Sequence, residues 1–194
     1  MVSIRFERGF AKGGLFMKEK RLICAVVMTV VMLSLTPFAQ AQQEPNRTGR
    51  FALGVGLGPH FDTSDGTAFA LAFYGDYYFT HGFSVGPLLQ MGFTGDLFQL
   101  GFTAQAKYTF DLADFPKLKP HVQGGIGIIY ADLDRSGRRD EDDTSFLIPL
   151  GGGVEYKLSD SVSLETTFLV NFTDLDVRND NVFYTWLIGV KFPF

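Results

Sequence analysis

From Arg50 onward the chain falls into eight stretches of about 10–14 residues in which large apolar side chains alternate one for one with small or polar ones. A period of two places successive residues on opposite faces of a strand, so this pattern prescribes strands and excludes an amphipathic helical core. The fourth stretch is the clearest. Phe98, Leu100, Phe102, Ala104, Ala106, Tyr108 and Phe110 oppose Gln99, Gly101, Thr103, Gln105, Lys107 and Thr109. In the first, Arg50 to His60, Phe51, Leu53, Val55 and Leu57 face away from Ala52, Gly54, Gly56 and Gly58. In the second, Thr67 to Phe79, Phe69, Leu71, Phe73, Tyr77 and Phe79 oppose a set that ends in Tyr74 and Asp76. The last sets Tyr184, Trp186, Ile188, Val190, Phe192 and Phe194 against Thr185, Gly189 and Lys191.

Turn residues separate the stretches. Thr80-His81-Gly82 and Leu158-Ser159-Asp160 are tight, whereas Phe61 to Gly66, Asp132 to Asp143 and Asp174 to Asn181 are longer and charged. Two connections break this alternation: Gly95-Asp96 is short where a long loop is expected, and Asp111 to Lys119 is long where a turn is expected.

Which face points outward decides the class. A soluble barrel would hide the apolar set and show water a face of Gly, Ala and Gln, with charge only at Arg50, Asp76, Lys107, Glu155, Lys157, Glu165 and Lys191. Well-solvated surfaces carry roughly 25–35% charged residues, so that exterior would be poorly hydrated. With the faces reversed, hydrocarbon takes Phe, Leu and Val, and the small and polar side chains fill a narrow interior. Strands of about ten tilted residues then suffice to cross a bilayer. Tyr77, Phe79, Phe83, Tyr108 and Phe110 fall at one interface, and Phe93, Phe98, Phe146 and Tyr184 at the other. The expected fold is an all-β, eight-stranded antiparallel up-and-down transmembrane β-barrel, with both mature termini on the periplasmic side.

Residues 1–41 read as a cleavable signal peptide. A basic cluster after Met17, which is a candidate true start, precedes an apolar run of 14 residues from Leu22 to Leu35, and Ala39-Gln40-Ala41 supplies the small-x-small cleavage pattern. Residues 42–49 are then a short linker and residues 50–194 the barrel. Cys24, the single cysteine, lies inside the leader, so the mature part has no thiol chemistry. The leader holds six of the 17 basic and two of the 21 acidic residues, leaving 11 against 19, a net of −8. That balance argues against nucleic acid as a partner.

The run Gly151-Gly152-Gly153-Val154-Glu155-Tyr156-Lys157-Leu158-Ser159-Asp160-Ser161-Val162-Ser163-Leu164 resembles the sixth-to-seventh hairpin of the small outer-membrane β-barrel family, which includes the OmpA transmembrane domain and OmpX. Lys119-Pro120-His121 leading into Gly124-Gly125-Ile126-Gly127 is similar to that family's fifth strand. Phe192-Pro193-Phe194 resembles its C-terminal aromatic signal, which implies the barrel-assembly machinery as a partner through Phe194. The resemblance covers residues 50–194 and implies an outer-membrane location among lipid and lipopolysaccharide; it carries no activity.

Four sets of residues invite a functional reading. Arg50, Asp76, Lys107, Glu155, Lys157, Glu165 and Lys191 form an expected lumen charge network, either a structural plug or a gated ion path. In the loop from Asp132 to Asp143, Asp132, Asp134, Ser136, Asp140 and Asp143 match a calcium-loop spacing, a candidate for Ca²⁺ or Mg²⁺ bridging to lipopolysaccharide phosphates. His60 with Asp62 and Ser64 is the one cluster on the outer side suited to a lipid-A acyltransferase or deacylase. A small conduit resembling the OmpW type needs an apolar lumen, against which the inward Gly, Gln, Thr and charge argue. The residues favour an integral outer-membrane protein with a structural, surface-interaction or narrow-pore role and no cofactor or chemistry of its own.

Overall fold

The computed structural model describes residues 47–63, 66–94, 97–133, 141–175 and 181–194. Among them eight strands run in chain order: β1 (Phe51–Thr63), β2 (Gly66–Tyr78), β3 (Phe83–Phe93), β4 (Leu97–Thr109), β5 (Leu118–Leu133), β6 (Glu141–Lys157), β7 (Ser163–Phe172) and β8 (Val182–Pro193). Each strand pairs antiparallel with its sequence neighbours, and β8 returns to β1 to close the cylinder. The seam runs from Ala52↔Pro193 to Phe61↔Tyr184, and the Phe194 N–H extends it by donating to the Phe51 carbonyl at 2.7 Å. Closure leaves no free edge along the membrane-spanning part, as hydrocarbon demands of backbone polar groups.

The two faces sort as the alternation requires. Ile126 is 67% exposed, whereas Lys107 is 1% exposed. Phe51, Leu53, Phe69, Phe73, Phe102, Ile128, Phe168, Trp186 and Ile188 all point outward. An apolar surface of this extent belongs against lipid rather than water. Aromatic pairs sit at both rims: Phe51 with Tyr77 at 4.7 Å and Tyr108 with Phe110 at 4.9 Å near the chain ends, Phe93 with Phe98 at 5.5 Å opposite.

Strand ends depart from the expected boundaries where charge suggested loop. β1 continues to Thr63 through a register shift after His60, with Asp62 at φ 55°. The β5–β6 ladder runs through Ala131↔Asp143 to Leu133↔Glu141, so much of the expected loop from Asp132 to Asp143 is paired strand. Charged side chains do not bar this, because a ladder is built from main-chain N–H and C=O groups alone. The expected leader, Gly95-Asp96 and residues 134–140 lie outside the described residues.

Small residues fit the strands to a tight cylinder. A Cβ on Gly54 would overlap the ring of Tyr74, which fills the lumen at that level. A Cβ on Gly153 would strike the Thr166 carbonyl of β7, so the glycine run of β6 lets that strand coil closely against its neighbour.

Candidate functional site

The lumen is stacked in four layers, legible along the inward positions of β7 and β8. From the mouth holding the chain ends, β7 presents Glu165 with Thr167, then Leu169, then Asn171, with Thr173 and Leu175 just beyond its end; β8 presents Lys191, Leu187, Thr185 and Phe183. Both therefore read charged, apolar, polar, apolar.

The first layer is an ion-pair network. Lys107 Nζ donates to Asp76 at 3.1 Å and to Glu165 at 3.0 Å. Lys191 Nζ meets Glu165 at 3.0 Å and Asp76 at 3.6 Å, and also pairs with Glu155. The Ser84 hydroxyl donates to Asp76 at 3.4 Å. Arg47 completes the set: its guanidinium donates to Glu155 at 3.2 Å and lies 5.3 Å from the centre of the Tyr78 ring. Three carboxylates thus face three cations. Buried charge of this kind persists only when paired and hydrogen-bonded.

Beside the network, His121 Nε2 lies 3.2 Å from the Thr167 hydroxyl, which donates to Glu165 at 3.3 Å. A void of about 10 Å³ lined by Lys107, Gln123 and Glu165 is on the scale of one water molecule. Toward the same mouth, Asp111 accepts from Lys119 at 2.8 Å and pairs with His81 of the β2–β3 turn at 2.5 Å. That cluster ties two turns together.

The second layer is apolar: Ala70, Ala72, Leu88, Leu169 and Leu187 around the Tyr74 ring. The third is polar. Asn171 donates to the Thr185 hydroxyl at 2.8 Å, Gln90 donates to Asn171 at 3.4 Å, and His60 Nδ1 lies 2.7 Å from Thr185 Oγ1. The fourth layer, Ile129, Ala131, Leu147, Leu175 and Phe183, is again apolar.

Five of the seven sequence-derived lumen charges meet in the first layer: Asp76, Lys107, Glu155, Glu165 and Lys191. Arg50 and Lys157 do not. Arg50 is exposed at the rim, and Lys157 turns to Asp160 at 2.9 Å in the adjoining turn, because both stand at strand ends where water competes for the charge. The hydrogen bond and charge of Lys157 hold the exposed Asp160 carboxyl below the usual carboxylate range. Arg47 lay in the expected linker, and Lys119 precedes a proline at a strand start; neither position carried an alternation to flag it. The apolar layers are the larger correction to an interior expected to be Gly, Gln, Thr and charge. Leu88, Ile129, Leu147, Leu169 and Leu187 follow or precede apolar outward residues, which masked the period.

The other two sets are not assembled. His60 is 2% exposed, beside the Phe183 ring at 5.4 Å, while Asp62 is exposed and Ser64 lies outside the described residues. Asp132 and Asp143, the two ends of the calcium-like spacing, are strand residues one register position apart, on opposite faces of the ladder. Asp134, Ser136 and Asp140 lie outside the described residues. Among those described, no group of three His, Cys, Asp or Glu side chains is placed to hold a metal ion.

Known proteins share this architecture. Neisserial surface protein A superposes with a TM-score of 0.62 at 19% identity, covering 78% of this chain and all of that one. The N-terminal β-barrel domain of Pseudomonas aeruginosa OprF gives 0.57 at 14%, covering 77% and 100%. Ail, the attachment invasion locus protein of Yersinia pestis, gives 0.54 at 14%, covering 76% and 99%. No curated protein matches by sequence. These likenesses show the fold. Residues 25–194 match the family described as outer membrane protein beta-barrel domain. The chain belongs to that family, and is a closed eight-stranded transmembrane barrel of the bacterial outer membrane.

Proposed function

We propose that the chain is a non-conducting outer-membrane scaffold, with both mature termini in the periplasm and its recognition carried by the opposite, outer hairpins. The observation behind this reading is the pair of apolar layers across the lumen. Leu88, Leu169 and Leu187 close it above the ion pairs, and Ile129, Leu147 and Phe183 close it again nearer the outer mouth. An ion crossing would have to shed its hydration twice in a space with no replacement ligands. An eight-stranded cylinder is filled by its own side chains, which favours a plug over a gated path. Planar-bilayer recordings of the purified protein are expected to show no unitary conductance steps. Discrete steps that vanish in Leu187→Trp would overturn the plug.

An absence of chemistry accords with His60 lying inward between two apolar layers, away from any lipid that a rim catalyst would need to reach. The apolar layers also stand apart, divided by Asn171, Gln90 and Thr185, so no greasy path of the OmpW type threads the lumen. We place the surface-interaction role on the β5–β6 hairpin. Its strands, Leu118–Leu133 and Glu141–Lys157, outlast those of their neighbours. Residues 1–41 act in this reading as a signal peptide. N-terminal sequencing of protein extracted from outer membranes should begin at Gln42; a start within residues 1–41 would mean the leader is retained.

A further inference from the structure

At the mouth that holds the chain ends, the β4–β5 connection spans residues 110–117, eight residues against four for β2–β3 and five for β6–β7. Antiparallel neighbours can be joined by about two to five residues, so this loop is longer than closure requires. It is also fastened at both ends. At its base the Phe110 N–H donates to the Pro120 carbonyl at 2.8 Å, and Asp111 takes both Lys119 and His81. At its far side the Lys117 carbonyl accepts from the Lys157 N–H at 2.8 Å, which ties it to the end of β6. Between these ties the chain makes a turn over Phe115-Pro116-Lys117-Leu118, closed by the Leu118 N–H donating to the Phe115 carbonyl at 2.9 Å. Pro116 stands at the turn position where a fixed φ is an advantage.

The tip so held is apolar. Phe115 is 64% exposed, and Pro116 is exposed beside it in the chain. A phenyl ring displayed on a fastened tip forgoes its burial energy unless something outside the chain covers it.

The surroundings indicate the cover. Leu118 pairs with Tyr156, both at outward positions of their strands, and Tyr156 belongs to the exposed apolar face. Leu158, the next outward position past β6, is exposed as well. These residues carry the lipid-facing surface down to the foot of the loop. Asp114 and Lys117 flank the ring and are both exposed. The long lysine stem lets an ammonium reach phosphates while its neighbours sit deeper.

We infer that the β4–β5 loop is a lipid-docking foot, with Phe115 seated among the headgroups and upper acyl carbons of the leaflet nearest the chain ends. Its partner is the bilayer rather than a protein, because the patch continues an interface that the barrel already makes. An aromatic ring between charged neighbours is the composition that settles at a membrane–water boundary. Leu158 of the adjoining turn adds to the same contact. The inference holds whichever side of the membrane that mouth faces.

The test moves the single tryptophan to the tip. The full barrel carrying Trp186→Phe and Phe115→Trp is folded into phosphatidylcholine vesicles, with heat-modified migration as the check on folding. The control carries Trp186→Phe and Ser159→Trp, on the exposed β6–β7 turn. Lipid brominated at the sixth and seventh acyl carbons is expected to quench the tip about twofold more than lipid brominated at the eleventh and twelfth, and acrylamide about threefold less than it quenches the control. A tip that acrylamide reaches as readily as the control, with neither brominated lipid effective, stands in water and is open to a protein partner instead; that result overturns the foot. Stronger quenching by the deeper bromines overturns it as well, since the ring would then lie within the hydrocarbon alongside the strands.

Discussion

Lys191→Met is expected to lower the unfolding free energy of the barrel by about 3–5 kcal/mol, the cost of breaking a buried ion pair by removing one partner. Lys191 is 1% exposed and meets Asp76, Glu155 and Glu165. Without it, three carboxylates face only Lys107 and Arg47. Pairing the substitution with Glu165→Gln leaves two carboxylates against two cations, so the double variant should recover a substantial part of the loss. The interaction term of that cycle isolates the pair from its surroundings. Guanidinium unfolding in phospholipid vesicles measures both, and Trp186, the chain's single tryptophan, stands on the lipid face as the fluorescence reporter. A Lys191→Met loss under about 1 kcal/mol, with no recovery in the double variant, would mean that the network contributes little.

Phe102→Arg carries the second large effect. Phe102 lies midway along β4, paired with Leu89 on one side and Ile128 on the other, and 53% of it is exposed. An arginine at the bilayer midplane of a barrel costs about 2–4 kcal/mol, falling to about 0–1 near the interfaces. The same vesicle assay should therefore place Phe102→Arg well below the parent and Phe51→Arg, at the rim, close to it. Equal effects at the two positions, or a gain in detergent-free solubility at no cost in stability, would mean that this face does not meet hydrocarbon.

Fold class and facing were open to reading because the alternation is unbroken where one side is lipid. In β4, from Phe98 to Tyr108, every outward residue is apolar and every inward one is small or polar, and there the pattern alone sufficed. It failed where both sides are apolar. Phe146-Leu147-Ile148, Phe168-Leu169-Val170 and Trp186-Leu187-Ile188 read as continuous greasy runs, hiding the lumen residues that seal the cylinder. Charge failed in a different way. Inward parity groups Asp76, Lys107, Glu155, Glu165 and Lys191, which the barrel brings together, but parity at a strand end says nothing of depth, and so it groups Lys157 and Arg50 with them. Arg47 had no parity at all, since it precedes β1 and enters the network by folding back under Tyr78. The calcium-like spacing around Asp132 misled because a linear motif presumes a loop, and the ladder between β5 and β6 had already taken both of its ends.

The position of Lys191 on β8 bears on how the cylinder is assembled. Its three acidic partners belong to β2, β6 and β7, whereas Lys107 arrives earlier, on β4. Until the final strand docks, an open arc of seven strands holds Asp76, Glu155 and Glu165 with one cation too few. Zipping the last seam and neutralising the interior are therefore a single event, and β8 serves as a latch whose key is one ammonium group.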